Sequence, residues 1–230
     1  MAPALTFFLR KDCVSCRIVW LYMLKNKIPF TTVDINEGRP VGFSGMSPLG
    51  SVPMILDDDQ SISGSLAIVL YLAEKYASFA GFGQTPEMRA KVNSIVCWAC
   101  GALKRDVCHN YINPSLSLQE DSLAGDANMS LISYGKTEVI FHLNTLENHY
   151  LNNSTFLCGE RETFADSWVA LILSLLELLS FDFSPWPKVK TWMLNMKSNC
   201  DYVDVSHQHE EKVRKCCYGI NRSMADMSSV

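Results

Sequence analysis

The hydrophobic pattern of this 230-residue chain changes character near Thr85-Pro86, and that change constrains its fold more than any other feature. Before it, short apolar or β-branched runs alternate with helical patterns in the order strand, helix, strand, strand, strand, helix. After it, the apolar residues recur only at helical spacing. The pattern therefore predicts a small α/β layer followed by an all-helical unit.

The first unit is predicted to be a domain over residues 1–79 with a four-stranded sheet. Its strands are expected near residues 6–9, 30–35, 54–56 and 60–62. The acidic turn Asp57-Asp58-Asp59 joins the last two strands and indicates a hairpin. One helix is expected at about residues 15–26, and Ser65 is predicted to be the N-cap of a second helix.

The second unit is predicted to be a helical domain over residues 86–230. Thr85 as N-cap and Pro86 at the first helical position open its first helix. Thr163 and Asp166 form a capping box ahead of residues 165–179, which are nearly all apolar. A helix without a polar face must be buried, so this helix is expected at the centre of the domain.

The composition excludes several classes of function. With 48% hydrophobic and 19% charged residues, the chain is globular in type, and a net charge of −4 gives no reason to expect a nucleic-acid or anionic-membrane surface. Arg10 and Lys11 interrupt the first apolar run, so no signal peptide is predicted. The longest apolar run, residues 168–179, is too short to span a membrane. We expect a cytoplasmic protein whose nine cysteines are reduced.

Reactive chemistry is expected at Cys13, which lies where the first strand gives way to the first helix. The free N–H groups and the positive dipole end of a helix N-terminus stabilise a thiolate, which is the reactive form of cysteine. Cys16 follows at the spacing of dithiol redox centres. Three interpretations stay open, which are a single nucleophilic thiol, a dithiol centre, and a cysteine without chemistry.

A second pair with the same spacing, Cys97 and Cys100, falls inside a continuous helical pattern. A zinc site built from both pairs would need turn residues to fold a knuckle, and the second pair brings none. We therefore predict no metal site and expect these thiols to pack between helices. The pair His207 and His209 is expected to lie at a solvated helix start.

Together the motifs resemble those of the cytosolic glutathione S-transferases, and most of all the theta class. The matching segments are Cys16-Arg17-Ile18-Val19, Ile28-Pro29-Phe30, Val33-Asp34, Ser47-Pro48-Leu49-Gly50-Ser51-Val52-Pro53, residues 65–72, Cys97-Trp98, residues 163–166 and Trp186-Pro187-Lys188-Val189-Lys190-Thr191-Trp192. They keep the family's order over roughly residues 5–215. The resemblance implies an N-terminal thioredoxin-like domain, an all-helical C-terminal domain, glutathione as cosubstrate and a homodimer with contacts around Tyr71 and Met88.

The resemblance also implies roles for individual residues. Cys13 stands where the family carries its catalytic serine, and it would bind or covalently pair with the glutathione sulfur. Val52 would pair its backbone with the cysteinyl part of the tripeptide, beside a cis peptide bond at Pro53. Ser65 would receive the γ-glutamyl carboxylate at a helix N-terminus.

Three polar contacts expected of the family are replaced in this chain. Gly64 stands where an acid binds the γ-glutamyl ammonium, Ser51 falls where a basic residue is usual, and Pro40 falls near an expected histidine. Hydrogen bonds to charged groups contribute about 1.5–3 kcal/mol each, so these losses predict weaker binding unless other groups substitute.

The replacement charge is expected from Lys104 or Arg105 on the first helix of the second domain. The leading prediction is transfer of glutathione to electrophiles, or glutathione-dependent thiol transfer, through Cys13. The partners would then be glutathione and a small electrophilic or disulfide substrate. The alternative is a non-catalytic scaffold that keeps the fold with a degraded glutathione site.

Overall fold

Four strands form one mixed sheet in the N-terminal half of the computed structural model, which describes residues 5–47, 49–120 and 126–211. The strands are β1 (Leu5–Leu9), β2 (Thr31–Asp34), β3 (Met54–Asp57) and β4 (Gln60–Ser63). Their order across the sheet is β2-β1-β3-β4, with β2 parallel to β1 and β3 antiparallel to both β1 and β4. The last pair confirms the predicted hairpin.

Three helices accompany this sheet, α1 (Val14–Lys25), α2 (Phe43–Met46) and α3 (Ser65–Tyr76). The single-turn helix α2 lies in a segment whose glycines and prolines indicate a loop. The N-cap of α3 is Gly64, whose φ of +91° suits a residue without a side chain. Ser65 is the first helical residue, so the prediction that Ser65 caps α3 is wrong.

The regular elements described after residue 85 are helices, as predicted, apart from one isolated β-bridge between Phe156 and Gly159. The helices of this C-terminal half are α4 (Pro86–Trp98), α5 (Asn113–Glu120), α6 (Asp126–Thr145), α7 (Phe164–Leu173), α8 (Pro187–Lys197) and α9 (residues 200–211). α4 continues into two π-helical stretches, Ala99–Leu103 and Arg105–Ile112. Within the described ranges, no helix combines the length and the apolar character needed to cross a membrane.

The helix α7 forms the centre of this half, and all ten of its residues are buried. The Asp166 carboxylate accepts hydrogen bonds from the Thr163 N–H at 2.9 Å, the Leu157 N–H at 2.8 Å and the Trp192 indole N–H at 3.1 Å. The capping box is therefore confirmed. The predicted single helix is divided, because the chain tightens into a 3₁₀ helix over Ser174–Leu179.

Helix α1 joins the two halves, since it packs against both α3 and α7. The Tyr22 and Phe164 rings meet edge to face with centroids 4.7 Å apart. Arg17 is fully buried and donates from Nε to the Val205 carbonyl at 3.1 Å and from Nη2 to the Ser206 hydroxyl at 2.9 Å. The predicted fold class is confirmed, whereas the division into residues 1–79 and 86–230 stays a prediction.

Candidate active site

The sheet topology brings most of the predicted site residues to one end of the N-terminal half. Because β1 and β3 are antiparallel, the chain after β1, with Cys13, lies beside the chain before β3, with Val52 and Pro53. The Gly64 N–H donates to the Pro53 carbonyl at 3.1 Å, which places Ser65 at the same end. The Val52-Pro53 peptide bond is cis, as predicted.

Cys13 is the N-cap of α1, with an extended backbone conformation, and its side chain is half-buried. The neighbouring Cys16 thiol donates to the Cys13 sulfur and, against the effect of burial, lowers the pKa of Cys13 to about 6. The N–H groups of Cys16 and Ser15 and the charge of Lys104 act in the same direction. Cys13 is therefore mainly a thiolate at neutral pH.

Cys16 plays the opposite part in this pair. It is completely buried, and its hydrogen bond to Cys13, followed by burial, raises the pKa of Cys16 far above that of a free thiol. The Arg10 N–H donates to Cys16 Sγ at 3.4 Å. One sulfur thus carries the charge and the other keeps its proton.

Cys13 opens into a cleft of about 420 Å³ between α1 and the helical half. On the N-terminal side the wall includes Ser15 and the Arg10–Asp12 ion pair, whose charged atoms are 2.8 Å apart. The helical wall combines apolar and polar side chains, among them Ile112, Leu116, Leu175, Leu178, Lys104, His109 and His209. Its size and mixed lining suit a small organic molecule.

Of the two predicted replacement cations, the structure brings Lys104 to the cleft. Its Nζ donates to Ser15 Oγ at 2.6 Å, two residues from Cys13 in sequence. Arg105 instead donates from Nε and Nη2 to the Asp106 carboxylate at 2.9 and 3.1 Å, and it does not line the cleft. The structure therefore places Lys104 at the cleft and Arg105 away from it.

The sequence pattern does not predict two other groups at this end of the molecule. A Cβ placed on Gly50 would lie 3.8 Å from Arg39 Nη1, so this guanidinium stands next to the segment where the family's basic residue is missing. His209 lies inside α9, is buried, and places Nε2 3.0 Å from the Ser174 carbonyl oxygen. The prediction of a solvated helix start at His209 is therefore wrong.

A separate group of potential metal ligands lies outside the cleft. Asp106, Glu138 and His142 place one ligand atom each within 4.8 Å of one another. The Asp106 carboxylate already accepts from Arg105, from Asn110 at 2.9 Å, and lies 3.0 Å from His142 Nε2. These contacts form a buried polar network that satisfies the carboxylate without an ion.

Comparisons with known proteins agree with this geometry. Family models of the glutathione S-transferase N-terminal and C-terminal domains match residues 8–83 and 111–199. The dichloromethane dehalogenase of Methylophilus leisingeri is 30% identical over 94% of this chain and 84% of its own length, and bovine glutathione S-transferase theta-1 is 27% identical over 85% and 83%. Apo human glutathione S-transferase T1-1 superposes with a TM-score of 0.77 at 25% identity, covering 91% of this chain and 90% of its own. The chain therefore belongs to the glutathione S-transferase family, and its predicted similarity to the theta class is confirmed.

Proposed function

We propose that the protein transfers glutathione through Cys13, either to small electrophiles or between disulfides. The observation that carries this proposal is the position of Cys13 at the N-terminus of α1 and at the mouth of a cleft, where the pKa of its thiol is lowered. A thiolate attacks electrophilic carbon and disulfide sulfur, whereas a serine at this position forms no disulfide. The change from serine to cysteine therefore shifts the chemistry towards thiol transfer.

Glutathione is proposed to lie along the turn before β3. Val52 would pair its backbone with the cysteinyl residue as an added strand. The γ-glutamyl carboxylate would meet the N-terminus of α3 at Ser65. The N-cap of α3, Gly64, has no side chain that could accept from the first N–H groups of the helix, so these groups suit an anion.

Two cations compensate in this proposal for the polar contacts that the chain lacks. Arg39, beside Gly50, would meet the glycyl carboxylate of glutathione from the neighbouring loop. Lys104 reaches the cleft from the helical half and stabilises negative charge near the Cys13 sulfur. Lys104 comes from the helical half, and Arg39 directly precedes Pro40, near which the family's histidine is expected.

The thiol transfer proceeds in two balanced exchanges. The Cys13 thiolate attacks the glutathionyl sulfur of a mixed disulfide, the bond between the two substrate sulfurs breaks, and the released thiolate takes up a proton. A glutathione thiolate then attacks the glutathionyl sulfur now bound to Cys13. Oxidised glutathione leaves, and the Cys13 thiolate is restored.

The proposal is tested by comparing Cys13→Ala and Cys13→Ser with the exposed-thiol control Cys97→Ser. Glutathione turnover is measured with a small mixed disulfide and with an electrophilic aryl halide. Cys13→Ala is expected to lose both activities, and Cys13→Ser to lose the disulfide reaction because oxygen forms no disulfide. Full activity of Cys13→Ala would show that the nucleophile lies elsewhere.

The scaffold alternative is not favoured, because the curated relatives are named as transferases and a dehalogenase. Calorimetric titration with glutathione separates the two functions directly. A ligand at 100 times its dissociation constant stabilises the folded state by about 2.7 kcal/mol, so an enzyme must show a clear rise in melting temperature. No heat and no stabilisation at millimolar glutathione would favour the scaffold.

We also propose that the protein is a cytoplasmic homodimer. The predicted contact lies around Tyr71 and Met88. Met88 and Tyr76, which is on the same helix as Tyr71, are 38% and 39% exposed and leave apolar surface for a second copy. The cysteines of the described ranges are free thiols, which suits a reducing compartment. Light scattering of the wild type and of Met88→Lys tests the dimer, since a charge at the contact is expected to yield monomers.

A further inference from the structure

Cys13 faces the cleft and Cys16 is buried next to it, so a molecule in the cleft can contact Cys13 but not Cys16. Cys13 is the N-cap of α1 and lines the cleft, whereas Cys16 lies on the first helical turn with no exposed surface. Residues three apart on a helix are neighbours, with about 5–6 Å between their Cβ atoms. The Cys13 backbone is extended and not helical, and its carbonyl accepts from the Cys16 N–H at 3.0 Å, so the two residues lie side by side at the start of α1. A disulfide requires their Cβ atoms to approach to roughly 3.5–4.5 Å.

We propose that Cys16 is a resolving thiol, which displaces glutathione from Cys13 and leaves a Cys13–Cys16 disulfide in the active site. This inference rests on the proposed function, because it requires the mixed disulfide between Cys13 and glutathione. It adds a second activity, in which the protein reduces a glutathionyl disulfide with its own two thiols. Glutathione is then needed only to reset the enzyme.

The atoms and electrons of this cycle balance. Cys13 first takes the glutathionyl group from the substrate disulfide, and the other substrate sulfur leaves as a thiol. Cys16 attacks Cys13 Sγ, the bond to glutathione breaks, and the leaving glutathione sulfur takes up the proton that Cys16 loses. The substrate disulfide has gained two electrons from the enzyme dithiol. Two further glutathione molecules reduce the Cys13–Cys16 bond and leave as oxidised glutathione.

The charge on Cys13 prevents Cys16 from acting as a nucleophile before the mixed disulfide has formed. While Cys13 is a thiolate, its hydrogen bond and its charge, together with burial, hold the Cys16 pKa high. Once Cys13 is part of a mixed disulfide, that charge and that hydrogen bond are lost. The Arg10 N–H, which donates to Cys16 Sγ at 3.4 Å, then favours the Cys16 thiolate.

The first experiment uses the wild-type protein and so does not depend on the folding of any variant. The protein is equilibrated in glutathione buffers of rising oxidised fraction, free thiols are blocked, and tryptic peptides are analysed by mass spectrometry. No basic residue separates Cys13 from Cys16, so both remain in the peptide of residues 12–17. The expected product is this peptide lacking two hydrogens. A lasting glutathione adduct on Cys13, or a disulfide from Cys13 to Cys108, would overturn the inference.

The second experiment traps the intermediate with Cys16→Ser, with Cys97→Ser as the matched control. Cys97 has the same spacing to a partner thiol but is exposed on α4, so its variant is expected to behave like the wild type. Cys16→Ser is expected to accumulate the glutathione adduct on Cys13, with folding verified by thermal melting. Equal adduct levels in Cys16→Ser and the wild type would contradict a resolving role. If neither protein formed an adduct and Cys13→Ala kept its activity, the proposed function itself would fail.

Discussion

Two cysteine pairs with identical spacing have opposite chemistry in this protein. Cys13 and Cys16 begin α1, where the first N–H groups have no helical acceptor. Cys97 and Cys100 lie where α4 passes into its π-helical continuation, with the helix running on past both. The pKa of Cys13 is lowered to about 6, whereas burial raises the pKa of Cys100 to about 11.

Lys104 is not the source of this difference, because its charge lowers the pKa of both Cys13 and Cys100. A nearby cation therefore does not distinguish the pairs. What distinguishes them is the helix terminus and a partner thiol that donates to the sulfur at the N-cap. A Cys-x-x-Cys spacing predicts a reactive thiol only together with its position along the helix.

The strongest test of this comparison removes the thiol at the helix start. Cys13→Ala is expected to abolish rapid alkylation by iodoacetamide at pH 7, while Cys100→Ala is expected to leave it unchanged, because burial keeps Cys100 protonated. Mass spectrometry of time-resolved labelling measures both rates. Rapid labelling of Cys100 in the wild type would break the comparison.

A second test separates local reactivity from the stability of the fold. Asp166→Ala leaves the buried N–H groups of Leu157 and Trp192 without an acceptor and removes the capping box, and we expect a loss of about 2–5 kcal/mol in the free energy of unfolding. Chemical denaturation measures the loss. Alkylation of Cys13 in the folded mutant is expected to stay normal, so a stable mutant with an unreactive Cys13 would place Asp166 in the site.

A third test removes the partner thiol. Because Cys16 is the largest cause of the lowered Cys13 pKa, Cys16→Ala is expected to raise that pKa towards its ordinary value. If the pKa rose from about 6 to about 8.5, the value of an unperturbed thiol, the thiolate fraction at pH 7 would fall roughly 30-fold. The pH profile of alkylation has its midpoint near the pKa, because the rate rises as the thiol deprotonates. An unchanged midpoint would assign the lowered pKa to the helix terminus alone.

The smallest effect is expected from Lys104, for which Arg105 provides a neighbouring control of equal charge. Lys104→Ala is expected to raise the Cys13 pKa by less than Cys16→Ala does, since Lys104 is a weaker cause. Arg105→Ala is expected to leave it unchanged, because that guanidinium pairs with Asp106. The pH profiles of alkylation measure the Cys13 pKa in both variants. Equal pKa shifts would show that the positive charge of the whole helix acts on Cys13, and not Lys104 in particular.

The parts of the fold that depend on local sequence are the ones that the sequence predicts. The β3–β4 hairpin follows from an acidic turn between two short β-forming runs, and the capping box follows from the spacing of Thr163 and Asp166. The N-cap of α3 is not predicted, because Gly64 has no polar side chain that would mark it as a cap. The change at Ser174 from α-helix to 3₁₀ helix likewise has no signal in an apolar run.

The candidate site divides in the same way. Cys13 is predicted because a helix start and a thiol coincide within a few residues. Arg39 and His209 are not, because each approaches this end of the sheet through tertiary contacts from another loop or helix. Nor does the sequence distinguish Lys104 from Arg105, because adjacent residues on a helix point in different directions and only the tertiary structure shows which one faces the cleft.

The burial of Arg17 has a consequence for the order in which the molecule is completed during synthesis. Arg17 directly follows Cys16, and its guanidinium is held by Val205 and Ser206, which the ribosome adds about 190 residues later. Until α9 has been added, Arg17 lacks both of these acceptors. The reactive thiol is therefore synthesised well before α9, and its surroundings are complete only once α9 is in place.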